Sequence, residues 1–191
     1  MKKVFYIISL CLLSFCMTGC FKSKLQPVQI EKVSITGEFL NGGSITVEAS
    51  PKYELMSILC HLADYDDVKK ESALMDVVNI WFDEYKDAAA VKLLREYHEK
   101  YGMNLDTAFS LLLCVSDDMA SFSENLKEKP YYVDERWFEI NTNKFLKAFN
   151  QFAVETKFAK FYLINKAFYL QSTKNIGDVM AKGNVTSWLE S

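Results

Sequence analysis

A mainly α-helical single domain, a bundle of about six helices entered through an N-terminal β-hairpin, is the fold class this 191-residue chain predicts. Three observations predict it. Apolar and polar residues alternate between Val28 and Ala49 on either side of Asn41-Gly42-Gly43. At Ser50-Pro51 the apolar period changes from two residues to about 3.6. From there to Tyr169 the helical spacing persists, broken mainly at Gly102 and by a polar stretch over 116–130.

The hairpin comes first. Val28-Gln29-Ile30 and Val33-Ser34-Ile35-Thr36 alternate with a phase slip between them, which predicts a bulge. Asn41-Gly42-Gly43 tolerates the positive φ of a tight turn, and Ser44 to Ala49 alternates again. A two-stranded hairpin is marginal alone in water, so this one is expected to pack on helices or pair with further strands.

The helices follow. Ser50 can cap and Pro51 suits the first helical position, with Leu55, Ile58, Leu59 and Leu62 marking a helix to about Asp64. A second helix is expected over 68–85, with Leu74, Val77, Val78 and Trp81 on its apolar side. Asp87 is placed to cap a third over 88–100, buried through Val91, Leu94, Tyr97 and the stem of Arg95, and stopped by Gly102. Asn104 or Leu105 opens a fourth through Leu113. After the long polar loop, Asp134 or Asn141 caps a fifth bearing Phe145, Phe149 and Phe152 at i, i+4 and i+7. A sixth carries Phe158, Phe161, Tyr162, Phe168 and Tyr169. That spacing is a buried stripe rather than a ligand box.

The first nineteen residues read as an export signal rather than as part of the domain. Lys2 and Lys3 precede an apolar run of about a dozen residues, short of the ~20 that span a bilayer. Met17-Thr18-Gly19-Cys20 resembles a bacterial lipobox, which makes Cys20 the expected lipidation site. Two or more acyl chains there would hold the mature chain stably to a membrane. Phe21 rather than Asp follows Cys20, which suggests the outer membrane, with the body facing the periplasm. Residues 20–27 then serve as a tether to a domain over 28–191.

Without residues 1–19, 172 residues remain, with 20 basic against 25 acidic side chains. A mildly acidic body with no basic cluster argues against nucleic acid as a partner, and with no polybasic patch it leaves membrane attachment to lipid. Of five cysteines, Cys11 and Cys16 leave with the signal and Cys20 is spent on lipid. Cys60 and Cys114 remain, each in an apolar setting that reads as a small buried hydrophobe; a disulfide between them is the other reading.

No complete catalytic, metal or cofactor motif can be assembled. His98-Glu99 opens a zinc-peptidase pattern that needs a second His at position 102, where Gly102 stands. His98 is expected to be exposed near a helix C-terminus. Cys60 and His61 are adjacent on a helix and so point about 100° apart, which denies them a nucleophile–base pairing. The paired acids Asp66-Asp67 and Asp117-Asp118 fall at helix ends, and Asp64, Asp83, Glu84, Asp134 and Glu135 are scattered. There is no phosphate-binding loop, dinucleotide fingerprint, nucleophile elbow or calcium loop. Asn184-Val185-Thr186 matches a glycosylation sequon by chance.

Several segments, taken in order, are similar to a known family. Pro51-Lys52-Tyr53-Glu54-Leu55-Met56-Ser57-Ile58 with Leu62-Ala63-Asp64-Tyr65 resembles the opening helix of domain of unknown function 4932. Tyr85 to Lys92, Gly102 to Ala108, Arg136-Trp137 and Thr156 to Phe161 resemble its later segments, so the likeness runs from about Ile45 to Tyr169, with Trp188 as a further point. At Ala88-Ala89 the chain departs from the family's His-Pro. Family members continue into a His-Glu-x-x-His helix of zinc-peptidase type. This sequence reaches Ser191 before that half, so the resemblance implies an N-terminal helical portion without its metal site. The expected role is a non-catalytic binding or structural module, its protein or peptide partner unspecified. The alternative is part of a peptidase whose catalytic half is missing or on another chain.

Overall fold

The antiparallel pair Val33–Glu38 (β1) and Ser44–Ala49 (β2) has Val33 opposite Ala49 and Ile35 opposite Val47. It belongs to a computed structural model that describes residues 24–38, 44–68 and 73–182. The export signal, Cys20, Asn41-Gly42-Gly43, the 184–186 sequon and Trp188 lie outside the described residues. The alternating pattern at Val28 does not make it a strand. Its N–H donates to the Asp118 carbonyl at 2.9 Å instead of entering a ladder, and its side chain is buried. The pairing begins only at Val33, after the predicted phase slip.

Among the described residues seven α-helices follow: α1 (Pro51–Leu62), α2 (Ala73–Phe82), α3 (Ala89–Tyr101), α4 (Leu105–Leu112), α5 (Thr142–Glu155), α6 (Phe158–Ile164) and α7 (Lys166–Lys182). Together with the hairpin they form one mainly helical body. None of the described helices is long and apolar enough to cross a membrane.

Local chemistry explains most of the boundaries. Pro51 opens α1, but the Ser50 hydroxyl does not cap it and is buried without a partner. Asp64, just past α1, adopts φ 67°, a left-handed conformation that Asp tolerates better than most residues. The second helix ends at Phe82, short of the expected 85, in a 3₁₀ turn at Asp83–Tyr85; Val68 belongs to another 3₁₀ turn, Asp66–Val68, and 69–72 lie outside the described residues. Its buried side is Val78 and Phe82, while Val77 is exposed; Trp81 and Phe82 pack on Phe161 of α6, and Phe82 also on Phe152 of α5. Asp87 does not cap α3. Ala88 holds that position and Asp87 pairs with Lys92 at 3.2 Å.

Gly102 ends α3 at φ 63°, as expected of an αL stop. Asn104 caps α4, its Oδ1 accepting from the Thr107 N–H at 3.0 Å. Both candidate caps of the fifth helix act, in different places. Asp134 caps the 3₁₀ turn Glu135–Phe138, and Asn141 caps α5 by accepting from the Lys144 N–H at 2.9 Å. The expected sixth helix is two. Asn165 interrupts it, its side-chain amide donating to the Phe161 carbonyl at 2.9 Å, and α7 beyond it covers the hairpin.

That cover supplies what a lone hairpin lacks. Tyr169 and Thr173 are buried on the inner side of α7, and a Cβ on Gly177 would come within 2.9 Å of Ile35 Cδ1. Tyr162 ties the hairpin down from α6. Its hydroxyl donates to the Ala49 carbonyl and accepts from the Val33 N–H at 3.3 Å, closing the end of the ladder. The aromatic stripe is core, as expected: Phe145, Phe149, Phe152, Phe158, Phe161, Tyr162 and Tyr169 are all buried, and only Phe168 turns outward. The 116–130 loop is pinned by a bridge between Val115 and Phe122, and by the Ser123 N–H donating to the Cys114 carbonyl at 2.7 Å.

Candidate membrane-facing site

The chain enters the described fold at Lys24 and is fastened almost at once. Asn150, buried in α5, accepts from the Gln26 N–H at 3.2 Å and donates to the Gln26 carbonyl at 2.7 Å. One amide thus satisfies both main-chain groups of one residue, as a neighbouring strand would, and the pairing sets which way the amide faces. Leu25 packs against the core beside it. The expected tether over 20–27 is therefore held to the body from its last few residues, at a defined place on α5.

Around that point the fold gathers lysines that are far apart in sequence. One cavity of about 420 Å³ between α3 and α5 is lined by Lys92, Lys144 and Lys147 above Ala89, Leu93 and Ala148. A second, of about 330 Å³, is lined by Lys24, Leu25, Lys147, Asn150 and Val154. Lys147 and Gln151 line both, so the two form one groove. Among the described residues Glu96 and Glu155 are its only acids, and both are engaged: Glu96 with Lys100 at 2.7 Å, Glu155 with the Gln151 amide at 2.6 Å. Four lysines against two glutamates make this groove basic on a chain whose net charge is −3. The sequence predicts no basic cluster or polybasic patch, because these lysines are scattered along it; packing brings them together. Lys144 and Lys147, three apart and therefore on one helix face, were the available signal. Asn150, polar within an apolar stripe, was the signal for the clasp.

Each described histidine and cysteine has its own structural setting. Cys60 is buried and free, and burial drives its thiol well above the usual range, away from the reactive thiolate. Cys114 is also buried and free, so the structure holds two small hydrophobes rather than a bridge. The His61 Nε2 meets the Asn79 Oδ1 at 2.7 Å, while its Nδ1 is buried without a partner. His98 is exposed near the end of α3. Its Nδ1 donates to the Met103 carbonyl at 2.7 Å and its ring lies 4.6 Å from that of Tyr65. Among the described residues no three His, Cys, Asp or Glu side chains are gathered as a metal site.

The acids are mostly spent on structure. Asp117 pairs with Lys32 at 2.9 Å and Lys52 at 3.6 Å, and Lys32 reaches Glu48 at 3.1 Å, so one charge knot joins hairpin, α1 and loop. Hydrogen bonding from Lys32 holds the Asp117 carboxyl below its ordinary value. Asp134 is lowered to about 2, chiefly by Arg136. Arg136 donates from Nε to Asp134 Oδ1 at 2.8 Å and from Nη2 to Oδ2 at 2.7 Å. It also reaches the Gly102 carbonyl at 2.6 Å and the Thr107 hydroxyl at 2.5 Å. The Trp137 indole N–H donates to the Thr107 carbonyl at 2.6 Å. Glu54 differs from the acids just described. It is half-buried beneath α7, and burial raises its carboxyl. The Tyr169 hydroxyl lies close enough to offset this in part, yet makes no hydrogen bond of good geometry.

Family models, curated proteins and solved structures gave no significant match to this chain.

Proposed function

We propose that this chain is a membrane-anchored lipoprotein of the bacterial envelope, held by acyl chains on Cys20, whose helical body is a non-catalytic binding or structural module. The lipobox-like Met17-Thr18-Gly19-Cys20 after a short apolar run carries the reading. The fastening of Gln26 by Asn150 supports it, since an anchor transmits position only if its tether is gripped by the body. Replacement of Cys20 by Ser tests it. The protein should leave the membrane fraction, or stay there with its signal uncleaved; correctly cleaved protein that still fractionates with membrane would refute the assignment.

The second reading, a portion of a zinc-peptidase-like protein, is favoured by one observation. Arg136-Trp137 and Gly102 to Ala108, two of the segments that resemble domain of unknown function 4932, meet in one hydrogen-bonded cluster. The first reading expects purified mature protein to carry no stoichiometric zinc. Elemental analysis finding one zinc per chain would favour the second.

A further inference from the structure

We propose that the lysine groove between α3 and α5 is the face this protein lays on its bilayer, with Lys24, Lys92, Lys144 and Lys147 among anionic phospholipid headgroups. This rests on the lipid-anchor reading of Cys20 and adds an orientation to it. Covalent reach is the first argument. Three residues lie between Cys20 and Lys24, four backbone steps, so the entry point of the fold lies within ~14 Å of the acylated residue, however the intervening chain runs. The Asn150 clasp then prevents the body from drifting away on a longer tether. Whatever surrounds Gln26 is held close to the headgroups.

Charge is the second argument. The surface around Gln26 is the lysine groove, on a chain that is acidic overall. Lys24, Lys92, Lys144 and Lys147 are all exposed. Lys144 and Lys147 form no ion pair among the described residues, and Lys92 is shared only with the outlying Asp87. Basic side chains within about a Debye length (~10 Å at 0.1 M salt) of an anionic surface gain on the order of five-fold in partitioning each.

The test uses mature lipidated protein in vesicles of phosphatidylcholine, alone or with about a quarter phosphatidylglycerol, and follows acylation of each lysine by mass spectrometry. Lys144 and Lys147 should be protected about five-fold by the anionic lipid, and Lys174 and Lys182 on α7 should be unaffected; high salt should remove the difference. The paired variant Lys144→Glu, Lys147→Glu should keep its acyl groups and vesicle retention but lose the lipid-dependent protection of Lys24 and Lys92. Anchored protein whose lysines label equally on both vesicles would overturn the face while leaving the anchor intact. Protection only on addition of polyglutamate would overturn it in favour of an acidic protein partner. Protein with an unmodified Cys20 that neither vesicle retains would remove the anchor reading and the proposal together.

Discussion

Two polar regions flank α5, and they use charge in opposite ways. Around Arg136 every guanidinium nitrogen has a partner within the fold: Asp134, the Gly102 carbonyl and the Thr107 hydroxyl. In the groove around Lys147 charge is left facing outward, and only the main chain of Gln26 is firmly held. The first arrangement joins α3, α4 and the turn before α5, and spends most of its donors inside the fold. The second contributes little to stability and keeps its charge for something outside the chain. Satisfied polar groups mark structure here; unsatisfied surface charge marks a place to look for function.

Breaking the Arg136 cluster should have the largest effect. Arg136→Ala strips Asp134 of its partner and should cost about 2–3 kcal/mol, against less than about 0.5 kcal/mol for Lys144→Ala or Lys147→Ala. Denaturant titration measures both. The pH dependence gives a second view of the same cluster. Because the folded-state value of Asp134 is depressed to about 2, its contribution is present above the ordinary carboxylate value and is lost as pH falls toward 2. About 2 kcal/mol should disappear across that window in the wild type and be missing from Asp134→Asn at all pH values.

Loosening the clasp should have a middling effect. Asn150→Ala removes both bonds to Gln26 and should cost about 1–2 kcal/mol, since the freed main-chain groups can partly rehydrate. It should also hasten limited proteolysis near residues 24–27, which the Arg136 change should not do selectively. Unchanged cleavage there would show that Asn150 does not hold the tether.

The smallest effect is expected at Glu54. Its carboxyl is raised by burial, so its contribution is present below the ordinary carboxylate value and is lost as pH rises through the folded-state value. Glu54→Gln should therefore be slightly stabilising at neutral pH and neutral in acid. Melting curves at the two pH values decide it.

What could be read from the sequence was what depends on neighbours along the chain. The αL stop at Gly102, the caps at Asn104 and Asn141, the change of period at Ser50-Pro51 and the aromatic stripe all follow from local geometry, and the structure places them as expected. The departures occur where a distant partner decides. Val28 bonds to Asp118, Trp81 and Phe82 turn toward Phe161, and Asn165 breaks a continuous helical pattern so that α7 can cover the hairpin. The lysine groove was illegible for the same reason. Its members come from the entry segment, α3 and α5, and only packing makes them neighbours.

The central claim is the lipid on Cys20, and intact-mass and N-terminal peptide analysis of the membrane-extracted protein tests it most directly. The account predicts a mature chain beginning at Cys20, with a diacylglyceryl thioether on its sulfur. A chain beginning elsewhere, or one with a free thiol at Cys20, would contradict it.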